Sequence, residues 1–128
     1  MTAEGFRKKN KGFYEERVKD TLSLFFLWGD WYLKESDFQA KLIKELSIRF
    51  PGSIVTKLDS SCIQGIPDLL ILYNDKWAVL ECKRSPDAGI RPNQEYYIRR
   101  MNDMSFARFI NPENKEEVLN ELQQSFFT

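Results

Sequence analysis

The sequence contains no histidine. This excludes the Ser-His-Asp arrangement, zinc centres built on imidazole, and any hydrolytic scheme with imidazole as base or ligand. Acid and base work falls to carboxylates, lysine or metal-bound water. Cysteine is scarce as well: Cys62 and Cys82 cannot form a CxxC site. With no recognisable signal segment, the expectation is free thiols in a reducing cytoplasm. No apolar run approaches the roughly 20 residues needed to cross a bilayer, so no membrane partner is expected. Net charge is absent too, with nineteen Lys plus Arg against nineteen Asp plus Glu. Total charge therefore gives no sign of a nucleic-acid partner.

The distribution of charge is more informative. Arg7, Lys8, Lys9 and Lys11 make a basic start, Lys83, Arg84, Arg91, Arg99 and Arg100 lie further on, and Glu113, Glu116, Glu117 and Glu121 lie near the end. Such asymmetry permits a basic face on a neutral protein. Apolar content of 42% and ten Phe support a packed interior. At 128 residues the chain suits one domain that buries about two-thirds of its unfolded surface. The expected organisation is a flexible basic arm over residues 1–12 and a single domain over 13–128.

Within that domain the first helix is expected from Phe13 to Trp28. Its cluster from Leu24 to Trp28 either packs on the domain's own core or forms a homodimer surface. Ser36 and Gln39 have the spacing of a capping box, and Phe38, Leu42, Ile43 and Leu46 share one face of the helix that follows, which stops near Pro51-Gly52. Ser53–Leu58 reads as a strand. Asn93 reads as the cap of a helix with Tyr97, Ile98 and Met101 inward. Phe106–Ile110 reads as another strand, and Asn111-Pro112-Glu113 as the start of a final helix. Repeats and low-complexity tracts are absent.

The stretch that organises the chain is GIPDLLILYNDKWAVLECK, Gly65 to Lys83. Two apolar runs, Leu69–Tyr73 and Trp77–Leu80, flank Asn74-Asp75-Lys76, which is a hairpin signal. Asn and Asp tolerate the left-handed backbone of a two-residue loop, so Tyr73 should pair with Lys76. Counting back from that pair puts Asp68 opposite Glu81, and alternation puts Lys83 on the face of Glu81. Both hairpin faces are apolar, as in strands covered by helices on each side. Two carboxylates opposed across a sheet repel one another. A divalent cation held by oxygen ligands would neutralise them, with Lys83 compensating in part. The plainer reading is a solvent-facing acidic pair beside an ordinary lysine.

Gly65-Ile66-Pro67-Asp68, the hairpin and Glu81-Cys82-Lys83 resemble the core of the PD-(D/E)xK nuclease superfamily, in particular its VRR-NUC and Holliday-junction-resolvase-like branches. The resemblance spans about residues 34–110. It implies a restriction-endonuclease-like α/β fold with a mixed sheet flanked by helices on both faces, and a DNA endonuclease, of phage type, acting on branched, junction or flap DNA. It implies Mg²⁺, with Mn²⁺ as substitute, held by Asp68, Glu81 and the Cys82 backbone carbonyl. Lys83 and Gln94 complete the catalytic set. Relatives carry a glutamate near the start of the preceding helix; Glu35 is the nearest match, and Asp37 is the alternative. Arg84, Arg91, Lys57, Lys8 and Lys9 would contact DNA phosphates without reading sequence. A nuclease fold that binds DNA or assembles without catalysis is the rival expectation.

Overall fold

A computed structural model describes residues 34–128. The expected basic arm with Lys8 and Lys9, the helix from Phe13 to Trp28 and its dimer surface lie outside them. The described chain runs α1 (Glu35–Arg49), β1 (Ile54–Lys57), β2 (Leu69–Tyr73), β3 (Lys76–Cys82), α2 (Pro92–Met104), β4 (Phe106–Ile110) and α3 (Lys115–Phe127). The strands form one sheet in the order β1-β2-β3-β4. The first three are antiparallel, and β4 joins β3 in parallel after the α2 crossover, giving a mixed α/β sheet.

The hairpin register is the one the loop chemistry specifies. Tyr73 pairs with Lys76 and Leu69 with Leu80. Asn74 takes the left-handed conformation at φ 56°, which its short polar side chain tolerates. One face of the sheet packs Leu69, Ile71, Ala78, Leu80 and Cys82 against Phe38, Leu42 and Leu46 of α1 and Val118, Leu119 and Leu122 of α3. The other packs Val79 and Ala107 against Ile98 of α2, with Leu70, Trp77 and Met101 around them. Helices thus cover both faces, as the double apolar pattern of the hairpin requires. No helix among the described residues is long and apolar enough to cross a membrane.

The helix starts differ from expectation. α1 begins at Glu35, so Ser36 and Gln39 lie inside its first turns rather than at its cap position, and Glu35 and Asp37 place acids at the positive helix end. α2 is entered through Arg91 rather than Asn93. Pro92 supplies a preset φ at the first helical position, and Gln94 accepts a hydrogen bond from the Arg91 amide at 3.0 Å. α3 starts at Lys115, not at Pro112. Asn111 Oδ1 accepts from the amides of Glu113 and Asn114, and Asn114 Oδ1 accepts from the Asn111 amide. These local side-chain bonds hold a turn in place of the first helical turn. Ser53 and Leu58 fall just outside β1.

Candidate metal centre

Asp68 and Glu81 stand one step past the Leu69–Leu80 pair, where the hairpin ends. Asp68 is fixed on both sides: its carbonyl accepts from the Leu58 amide at 2.8 Å, and its Oδ2 accepts from the Cys82 amide at 2.9 Å. The aspartate therefore takes over a hydrogen bond from the sheet and holds the first strand pair beside the second. Glu81 is 2% exposed. Its Oε2 accepts from Gln94 Nε2 at 2.9 Å, whereas Oε1 is buried with no hydrogen-bond partner among the described residues.

Glu35 completes the acidic group. It lies three residues before the buried Phe38, hence on the inward side of α1. Glu35, Asp68 and Glu81 each offer an oxygen within 4.8 Å of the others. Oxygens bound to one Mg²⁺ or Ca²⁺ at about 2.1–2.4 Å lie no more than about 4.2–4.8 Å apart, so this spacing is compatible with a single shared ion. Glu35 rather than Asp37 belongs to this cluster.

Lys83, also buried, donates from Nζ to Gln94 Oε1 at 3.0 Å and to the Gly89 carbonyl at 2.8 Å. It lies 3.9 Å from Glu81 Oε2. Gln94 is thus the hub, bonding Glu81, Lys83 and the Arg91 amide at once. Its place at the first turn of α2 ties the helix start to the acidic cluster.

Burial and mutual repulsion disfavour charge here. Burial first, then the Asp68 carboxylate, pushes the Glu81 pKa up from 4.5 to about 7. Burial likewise raises Asp68, against the opposing Cys82 amide, and raises Glu35, with Asp68 adding to the effect. The Cys82 thiol sits in the apolar core on the opposite sheet face, and burial pushes it far up.

A pocket of about 710 Å³ opens over these groups. Arg91 lines it, as do Lys83 and Gln94. Lys57 and Arg84 are exposed. Neither lines the pocket; their positive charges only partly offset the burial that raises Asp68 and Glu35. Sequence reasoning missed Ser60, Ser61 and Gln64, which line it from the β1–β2 loop, and the Gly89 carbonyl that receives Lys83. The signal for the loop was its position immediately before Gly65-Ile66-Pro67-Asp68. Protein-family models, curated proteins and solved structures were all compared with this chain, and none matches it.

Proposed function

We propose that the protein is a divalent-cation-dependent nuclease that hydrolyses phosphodiester bonds in DNA, with branched, junction or flap DNA as its substrate class. The observation that carries this reading is the clustering of Glu35, Asp68 and Glu81, with Glu81 Oε1 buried and without a hydrogen-bond partner among the described residues, beneath a pocket lined by Lys83, Gln94 and Arg91. Three acids whose carboxyls are pushed up by burial, with Asp68 adding to the effect at Glu35 and Glu81, fit an oxygen-coordinated cation: it would offset the cost of burying their charge and relieve the repulsion. The donor set is all oxygen, which favours Mg²⁺ or Mn²⁺ over zinc.

Asp68, Glu81 and Glu35, with the Cys82 carbonyl, would hold that cation. When bound, it would supply Lewis acidity towards a phosphate oxygen and acidify water. The remaining roles belong to the chain. The Cys82 amide keeps Asp68 aimed at the cluster. Gln94 engages Glu81 Oε2 and so fixes the carboxylate, while Oε1 has no hydrogen-bond partner among the described residues. Lys83 places a positive charge beside the cluster, where it can stabilise negative charge growing on a phosphate. Arg91 provides a phosphate contact at the pocket wall. Arg84 and Lys57 extend the positive potential outward.

The purified protein should cleave at least one member of a panel of linear duplex, flap and four-way-junction DNAs with Mg²⁺ or Mn²⁺, and chelation should stop it. Failure to cleave any of them with either metal would remove the enzymatic reading. DNA binding without cleavage would leave a binding module on the same fold.

A further inference from the structure

The lining of the pocket over the acidic cluster comes from two segments of unlike chemistry. Arg91 and the Gly89 segment form one. The other belongs to the loop between β1 and β2 and carries Ser60, Ser61 and Gln64, which are neutral and exposed. At about 710 Å³ the space exceeds what an ion needs and falls within the roughly 300–1,000 Å³ of pockets that enclose an organic ligand.

The neutral wall is built rather than loose. Asp59 Oδ1 accepts from the Ser61 amide at 2.9 Å, the Asp59 carbonyl accepts from the Cys62 amide, and the Ile63 carbonyl accepts from the Ile66 amide. Gly65, at φ +95°, lies so close to Asn93 that an added Cβ would stand 2.9 Å from its backbone carbon. That close approach sets the loop against the first turn of α2, beside the helix that carries Gln94. The wall is therefore pre-organised with respect to the acidic cluster.

A nucleic-acid strand beside a scissile phosphate presents charge on one side and neutral sugar and base edges on the other. Arginine suits the first, and a carboxamide with both donors and acceptors suits the second. We propose that the 59–66 loop, through Gln64 with Ser60 and Ser61, is the specificity wall of the site: it receives the sugar and base of the nucleotide next to the reacting phosphate. This rests on the nuclease reading and adds a role for residues outside the acidic cluster.

Cys62 reports on the loop directly. It is exposed at the loop's centre, while Cys82 is buried in the core, so alkylation by a maleimide should fall on Cys62. Full-length protein is bound to junction or flap DNA with Ca²⁺ in place of Mg²⁺, binding is followed by fluorescence anisotropy, and the alkylation rate is measured. Bound DNA should slow the reaction at Cys62 about tenfold or more. In cleavage assays Gln64→Ala should raise KM about two- to tenfold, the worth of one hydrogen bond, and shift the preferred cleavage positions with kcat little changed. DNA that binds without protecting Cys62, or a Gln64→Ala protein with unaltered KM and positions, would overturn the wall while leaving the nuclease reading standing. Absence of any DNA binding would remove both.

Discussion

Two charged clusters in this chain follow opposite rules. Where α1 meets α3, Arg49 reaches Gln123, Glu116 and Asn120, and Lys115 pairs with Glu45 at 2.8 Å. Both cations have partners, and solvent touches both networks. Such pairs contribute about 0.2–1 kcal/mol each and have a sufficient explanation in folding. At the hairpin end three carboxylates converge instead, beside the buried ammonium of Lys83, and a buried oxygen of Glu81 has no hydrogen-bond partner among the described residues. An unsatisfied buried polar group costs about 1–3 kcal/mol, and more when charged. The Cys82 amide accounts for Asp68 in folding terms, but sheet pairing gives no reason to gather Glu35 and Glu81 beside it, whereas a cation held as proposed above would.

The strongest way to break the contrast is to neutralise the acids while keeping their shape. Asp68→Asn retains an oxygen for the Cys82 amide, and Glu81→Gln retains one for Gln94. Each should cut DNA cleavage by at least about 10²–10³-fold. Each should also raise the melting temperature of the metal-free protein at pH 8, because a buried repulsion is gone, and should diminish the stabilisation that Mg²⁺ gives. Undiminished cleavage, or a large fall in melting temperature, would place these residues with the ordinary structural charges.

Acidity gives the next largest effect. With Glu81 at about 7 in the folded protein against 4.5 as its ordinary value, and Asp68 and Glu35 raised in the same direction, the native state binds more protons than the unfolded chain between about pH 4.5 and 7. Stability of the metal-free protein should therefore fall as pH rises through that window and level off above it. The contribution of Glu81 is on the order of 3 kcal/mol. Mg²⁺ should restore stability at pH 8 far more than at pH 5, since only ionised carboxylates bind it well. Urea unfolding at the two pH values, with and without Mg²⁺, measures both effects. Metal-free stability that rises from pH 5 to 7 would contradict the burial of Glu81.

How much of this could be read from sequence depends on whether the signal is local. The hairpin was legible because Asn74 accepts a left-handed backbone, which fixes the register between two apolar runs and with it the meeting of Asp68 and Glu81. Gln94 was legible only through its place in a family-like pattern, and the structure adds that it bonds three groups at once. Glu35 could have been chosen over Asp37 from helical phase, since it lies three residues before the buried Phe38. The helix starts were misread at Ser36, Asn93 and Asn111 because a capping residue is decided by which side chain reaches which amide. The Ser60, Ser61 and Gln64 wall depends on the approach of Gly65 to Asn93, a tertiary contact that leaves no periodic trace.

That approach sharpens the contrast from a different side, since it couples the site to the scaffold without any charge. Gly65→Ala meets two obstacles: a left-handed backbone at φ +95° and a Cβ within 2.9 Å of the Asn93 backbone. The expected loss is about 1–3 kcal/mol, read by chemical denaturation. Cleavage should fall as well, because displacing Asn93 moves the turn that carries Gln94. A variant as stable and active as wild type would show that the loop moves freely away from α2.

The smallest effect is expected where charge is fully satisfied. Arg49→Ala removes three side-chain bonds between α1 and α3, yet those partners return to water when the guanidinium is gone. The loss should be about 1 kcal/mol or less, and added salt should reduce the difference from wild type. Cleavage and Mg²⁺ affinity should be unchanged, because this cluster shares no residue with the acidic one. A loss of several kcal/mol would mean that the α1–α3 network holds buried charge of the costly kind, and would erase the distinction between the two clusters.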